Sequence, residues 1–306
     1  MGARSRLTFG PFVARLQAQL GKGNFGTVLA GRHKLTDTPV AIKLEPEDTR
    51  RPRIPVEAAV YRELDEEAGF AKMLYYGRGH GYLALVMERL GPSLRTIHRT
   101  RHEDGRSFDA ALLAHIADEV VLRLQTLHSF GWLHCDVKPA NVLLDADPAG
   151  IEREGLEGAP WPRLSLVDFG LCRRWGDERE RFEERRRQRR PGTCVGTGRF
   201  ASLSNHEGIE PLGRRDDLES LALSLVFLAA GRLPWSGVAP PPDFTKAERF
   251  QAMLERKRAT PIDELSEAMP PGFADFLIAI RSLAHDELPD YERLRRMVRE
   301  WPGSTR

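Results

Sequence analysis

The chain has 306 residues, 41% of them hydrophobic and 29% charged, with 46 basic against 44 acidic side chains. That length and apolar content can bury a sizeable core as one large domain or two lobes, which excludes a disordered segment. A formal charge of +2 excludes the molecule as a general polyanion binder, so no specific nucleic-acid partner is expected and attraction to phosphate is left to local clusters.

Met1 to Gly10 contains arginines but no apolar run, so it does not read as a secretory signal. Arg6 stands where a myristoylation signal starting at Gly2 would need Ser or Thr. Residues 1–15 are expected as an N-terminal extension. The first ninety residues alternate short β-type runs with turns, and strands are expected over Gly26 to Ala30, Pro39 to Leu44 and Tyr82 to Met87. One helix, Val56 to Glu67, is expected among them. After Gly91 the pattern becomes helical, with Leu113, Ile116, Val120, Leu124 and Leu127 lining one face. Short strands return at Val142 to Leu144 and Leu164 to Val167, and helices resume at Asp217.

The longest apolar stretch, Leu218 to Ala230, is interrupted by Glu219 and falls short of the roughly 20 residues a bilayer requires. A buried core helix is the expectation there, and no membrane partner is expected. Asp145 to Pro162 and the charge-dense Arg173 to Gly192 read as mobile loops. The run Arg185, Arg186, Arg187, Arg189 and Arg190 is read as a solvated loop balanced by Glu178, Glu180, Glu183 and Glu184, with a nuclear address or an acidic-substrate patch left open. Cys135, Cys172 and Cys194 are odd in number and lack CxxC pairing, which points to a reducing, intracellular compartment, cytoplasmic with the nucleus open.

Gly21, Gly23 and Gly26 form G-x-G-x-x-G, in which small residues let backbone N–H groups approach a phosphate. Only sixteen residues separate Gly26 from Lys43, too few for a strand-helix-strand crossover, so that segment reads as a β-hairpin and the glycine loop as a flap over a nucleotide. Lys43 ends a β-branched strand from which it can reach α- and β-phosphates, and Glu57 on the next helix can hold it by an ion pair. In His134-Cys135-Asp136-Val137-Lys138-Pro139-Ala140-Asn141, Asp136 can accept a hydroxyl proton, Lys138 can neutralise phosphoryl charge and Asn141 can ligate a metal. Asp168-Phe169-Gly170 places a carboxylate at a strand end, suited to magnesium. Taken singly each is ordinary: a strand-edge lysine, a helix glutamate, a polar loop. Their order and spacing together are what count.

The chain resembles the eukaryotic-type protein kinases, and among them the casein kinase 1 family. The likeness covers roughly Leu16 to Trp301. It rests further on Leu85-Val86-Met87-Glu88-Arg89-Leu90-Gly91-Pro92-Ser93-Leu94, Gly196-Thr197-Gly198-Arg199-Phe200-Ala201-Ser202, Arg214 to Leu221, Leu233-Pro234-Trp235 and Pro289-Asp290-Tyr291. It implies an α+β, bilobal fold with a β-rich N-lobe over 16–90 carrying one main helix, a mostly helical C-lobe over 91–301 and a short tail over 302–306. It implies an ATP- and Mg2+-dependent Ser/Thr kinase, monomeric, acting on acidic or phosphorylated protein substrates. Lys43 and Glu57 are implied as the phosphate-orienting pair, Asp136 as base, Asn141 and Asp168 as magnesium ligands, and Met87, Glu88 and Leu90 as adenine neighbours. Asp217 is implied as the anchor of the catalytic loop, and Arg199 and Arg249 as a substrate anion site.

Three departures stand out. Cys135 replaces an arginine that ordinarily binds an anion, Gly192 stands where a second basic residue is expected, and Ala140 replaces a polar residue. Activity without activation-segment phosphorylation is therefore expected, although Arg173 remains. Cys135 is read as a small space-filling side chain, with a redox-sensitive thiol as the alternative. A pseudokinase and a small-molecule phosphotransferase are the competing classes. Retention of Lys43, Asp136, Asn141 and Asp168 counts against the first, and Gly196 to Leu221 against the second.

Overall fold

The computed structural model describes residues 6–23, 26–145, 161, 163–187, 194–208, 210–236 and 244–301. The N-terminal part is an antiparallel sheet in the order β1-β2-β3-β4-β6-β5, formed by β1 (Arg6–Phe9), β2 (Phe12–Gly23), β3 (Gly26–His33), β4 (Pro39–Pro46), β5 (Met73–Gly79) and β6 (Tyr82–Glu88). The sheet thus begins before residue 16, with Phe9 opposite Phe12 in its first hairpin. Alternate residues of a strand face opposite sides. Val40, Ile42 and Leu44 pack with Leu29, Ala84 and Val86 in a cluster on one face. Leu83 and Leu85 belong instead to the core that includes Ile54, Ala58 and Tyr61 of helix α1 (Ile54–Glu63) and continues through the helical part.

Helix α1 stops short of the expected Glu67. The Glu67 N–H closes a turn on the Leu64 carbonyl at 2.9 Å, and the Gly69 carbonyl then accepts the Leu166 N–H at 3.0 Å. Gly69 has φ +86° and lies against the Arg123 guanidinium, so the chain has to leave the helix to make this crossing.

The C-terminal part is mainly helical: α2 (Leu94–Glu103), α3 (Ala110–Ser129), α4 (Glu178–Arg187), α5 (Leu203–Glu207), α6 (Arg214–Ala230), α7 (Lys246–Ala259), α8 (Ile262–Ser266), α9 (Phe273–Arg281) and α10 (Tyr291–Arg299). Ser93 and Asp109 cap α2 and α3 by accepting the N–H groups of Thr96 and Leu112. The expected face of α3, Leu113 to Leu127, is buried, as is nearly all of α6. Among the described residues no helix is long and apolar enough to cross a membrane. The short strands β7 (Trp132–Leu133) and β8 (Val142–Leu144) pair with β10 (Arg173–Arg174) and β9 (Leu164–Leu166).

The segment from Arg173 departs from the expected loop, forming β10 and then α4. Phe182 is the one apolar residue of that helix and is buried, and Asp177 and Arg181 form an i,i+4 ion pair at 3.7 Å. The side chains of Arg185, Arg186 and Arg187, all of Arg189, Arg190 and Gly192, and residues 146–160 and 162 of the other expected loop lie outside the described residues.

Candidate active site

Alternation along β4 puts Ala41, Lys43 and Glu45 on the side facing α1. Lys43 Nζ donates to Glu57 Oε2 at 2.5 Å and to Asp168 Oδ1 at 2.6 Å, which joins strand, helix and the loop after β9 at one ammonium group. Burial opposes the charge of Lys43, but Glu57 and Asp168 outweigh it and hold its pKa above the ordinary value. Burial also pushes Glu57 up to about 7 against the pull of Lys43. In Asp168 burial is overcome by Lys43 and, further off, Lys138, so its carboxyl lies below the usual range.

Glu45, 2% exposed, is a residue that pattern reasoning missed. Its Oε2 accepts the N–H groups of Arg53 and Ile54 at 2.8 and 3.1 Å, capping α1, whose own N-cap residue supplies no side-chain bond. One strand face therefore supplies both the partner of Glu57 and the cap of its helix. At the other side of the pair, Asp168 adopts a left-handed conformation with φ 69°. Such a backbone costs a non-glycine residue about 1–2 kcal/mol and persists where its surroundings over-determine it. Here Phe169 is fully buried, with its ring 4.8 Å from Tyr61, 6.0 Å from Phe70 and 5.5 Å from His134.

The loop carrying Asp136 hangs from α6. Asp217, buried, accepts the N–H groups of His134 at 2.7 Å and Cys135 at 2.8 Å and is bonded by His128 Nε2 at 2.9 Å. Burial alone would raise its pKa, but the His128 bond and these neighbours bring it below the usual carboxylate range. Cys135, the second of the two anchored residues, is held at φ 64°, again left-handed. The Asp136 N–H then donates to His134 Nδ1 at 3.2 Å, and His134 Nε2 bonds the Val167 carbonyl at 3.1 Å, which ties the Asp136 loop to the Asp168 loop.

Asp136 itself is almost buried and both its oxygens are engaged. Lys138 Nζ donates to Oδ2 at 2.5 Å and to Thr197 Oγ1 at 2.9 Å, while the Thr197 N–H donates to Oδ1 at 2.7 Å. Gly196, with φ +82°, makes this approach possible, because a Cβ there would lie 2.2 Å from the Cys135 carbonyl oxygen. In the sequence Thr197 stands out only within the resemblance, and its direct link to Asp136 is a finding of the structure. The segment beyond it is held by its carbonyls: Lys257 Nζ donates to those of Gly198, at 2.9 Å, and Ala201, and Trp235 Nε1 to that of Arg199 at 2.8 Å. Burial pulls the Lys257 pKa down to about 8. Ser202 and Ser204, which follow in the same segment, both donate to Asp216 Oδ1.

The hairpin expected after Gly26 is formed by β3 and β4, and β2 pairs with β3 through Gly23 with Gly26 and Gly21 with Val28, with Asn24 and Phe25 outside the described residues. Gly26 has φ +144°, and a Cβ there would lie 2.3 Å from the Leu44 carbonyl oxygen. Val28 is opposite Lys43, and Ala41 lies two residues before it on the same strand face. Both are half-buried, and motif reading did not single them out. Met87 is buried opposite Ala41 on β6. The Glu88 N–H is taken by the Lys72 carbonyl at 2.9 Å, and Leu90 close by is half-buried.

Asn141 donates its amide nitrogen to the Asp136 carbonyl at 3.0 Å, which leaves its amide oxygen as the atom that could meet a cation. Among the described residues no group of three or more His, Cys, Asp or Glu converges as a metal cluster. Two oxygen-bearing side chains, Asn141 and Asp168, suit magnesium, which keeps waters and phosphate oxygens rather than a full protein cage. Arg199 is half-buried, and Arg249 is exposed on α7 with Nε donating to the Phe244 carbonyl at 3.0 Å. Met253, one turn further along α7, has its sulfur 3.9 Å from where a Cβ on Gly198 would lie. The family model described as protein kinase domain matches residues 14–286, and with the lysine, the carboxylates and the glycine hairpin assembled as above, the chain belongs to the protein kinase family.

Proposed function

We propose that this protein kinase is Ser/Thr-directed and of the casein kinase 1 kind, uses ATP with magnesium, and prefers hydroxyls near acidic or phosphorylated residues. The observation that carries the reading is Asp136 held between Lys138 and the Thr197 N–H. A carboxylate so placed orients a substrate hydroxyl and takes its proton as the oxygen attacks the γ-phosphorus, while Lys138 offsets charge on the transferring phosphoryl group. Lys43, fixed by Glu57, orients the α- and β-phosphates, and the β2/β3 hairpin covers them. Bound through Asn141 and Asp168, magnesium supplies further neutralisation of phosphate charge.

Catalysis in this scheme is positioning plus electrostatics, and the buried, already hydrogen-bonded groups supply both without rearrangement. Arg199 and Arg249 support the substrate preference, since a guanidinium fork bonds a phosphate or carboxylate bidentately. An intracellular, reducing location is supported by three cysteines that form no disulfide.

The test is labelled ATP and magnesium with an acidic peptide, its phosphorylated counterpart and Asp136→Ala. Label is expected on Ser or Thr of the peptides, with more on the phosphorylated one. The Asp136→Ala protein should bind nucleotide and transfer nothing, and comparable turnover in it would contradict the assignment. An unchanged ratio between the two peptides in an Arg199→Ala, Arg249→Ala protein would remove the substrate preference.

A further inference from the structure

Helix α1 carries Glu57 in its first turn, and Glu45 ties its N-terminus to β4. Its last residue, Glu63, is tied to the other lobe. Glu63 Oε2 accepts the indole N–H of Trp132 at 3.0 Å, and Glu63 Oε1 pairs with Arg174 Nη2. The Arg174 guanidinium lies over the Trp132 ring at 4.1 Å and donates through Nη1 to the Phe130 carbonyl at 2.9 Å. Trp132 and Arg174 are register partners in the β7/β10 pair. That ribbon leads directly into both functional loops, His134 to Asp136 on one strand and Asp168 to Gly170 just before the other.

We propose that Glu63 is a positioning residue for phosphoryl transfer, clasping the C-terminal end of α1 to the β7/β10 ribbon so that Glu57 stays at Lys43. Without the clasp, the helix keeps its capped N-terminus as a pivot and its far end is released. The Lys43–Glu57 pair is then populated for only part of the time, and turnover falls by that fraction. This inference rests on the kinase reading above. Because 34% of the Glu63 side chain and 43% of that of Arg174 are exposed, solvent screens the ion pair. The ring contact and the indole hydrogen bond add to it, and together they set an effect of about fivefold on kcat/KM.

The experiment compares Glu63→Ala, Glu63→Gln, Glu57→Gln and the Glu57→Gln, Glu63→Ala double variant. Glu66→Gln, an exposed acid just beyond the same helix end, is the control. Expected are a roughly fivefold loss of peptide kcat/KM in Glu63→Ala and partial recovery in Glu63→Gln, which keeps an acceptor for the indole. In the Glu57→Gln background Glu63→Ala should add less than about twofold, since its effect passes through Glu57. Hydrogen exchange at residues 54–63 should quicken in Glu63→Ala and not in Glu66→Gln. Wild-type kinetics in Glu63→Ala, multiplicative losses in the double variant, or unchanged exchange would each overturn the proposal. A wild-type protein without transfer would overturn the kinase reading instead, with exchange still deciding the clasp.

Discussion

Replacing Asp217 by alanine tests the anchoring of the catalytic loop most directly. The carboxylate serves the N–H groups of His134 and Cys135 and the ring of His128, all at 2.7 to 2.9 Å in the interior. Alanine offers none of these donors an acceptor. Leaving a buried N–H unpaired costs about 1–3 kcal/mol, so the two backbone donors alone imply about 4 kcal/mol. That is a large part of the 5–15 kcal/mol typical of a folded domain. With a urea slope of about 3 kcal/mol/M for a chain of this size, the midpoint should fall by about 1 M. Cys135, held at φ 64°, would be the first residue to relax, carrying Asp136 with it. A shift of about 1 Å in a reacting group costs on the order of 100-fold in rate. The assay pairs urea denaturation followed by circular dichroism with single-turnover transfer to peptide. An Asp217→Ala protein that unfolds at the wild-type urea concentration would refute the reasoning, because the donors would then have another acceptor.

Other substitutions separate strain from chemistry. Cys135→Gly should leave transfer within about twofold and stability within about 1 kcal/mol, because glycine accepts a left-handed backbone that cysteine tolerates at a cost; thermal melts and peptide kinetics check this. Gly196→Ala should instead destabilise by about 2 kcal/mol and slow transfer, since its methyl would meet the Cys135 carbonyl at 2.2 Å, and the same two measurements apply. The pH dependence should carry the mark of His206, 2% exposed and brought to a pKa of about 4, first by burial and then by the neighbouring Lys257. Its unfolded form binds a proton near 6.5 while the native form does not, so stability is lost as pH falls from 6.5 towards 4. The loss reaches about 2 kcal/mol by about pH 5, and melts of His206→Gln should lack that part of the slope.

Much of the site was legible because its chemistry needs particular side chains in short strings. Lys43, Asp136, Asn141 and Asp168 were readable for that reason, and the period of α3 and the hairpin after Gly26 were readable from hydrophobic pattern and spacing. Thr197 was not, because its bond to Asp136 spans 61 positions and depends on the left-handed turn at Gly196. Glu45 reads as one more strand residue until the start of α1 is folded against it. Helix α4 was hidden for a different reason. With Phe182 as its single apolar residue it has no hydrophobic period to detect.

The attachment of the catalytic loop to Asp217 also bears on how the protein is made. The acceptor lies 83 positions after His134, so it leaves the ribosome long after the loop it supports. During synthesis the backbone N–H groups of His134 and Cys135 lack the Asp217 carboxylate until α6 emerges. Competence for phosphate transfer is thus a late acquisition of the nascent polypeptide, and a product cut short before α6 would carry its chemical groups without their arrangement.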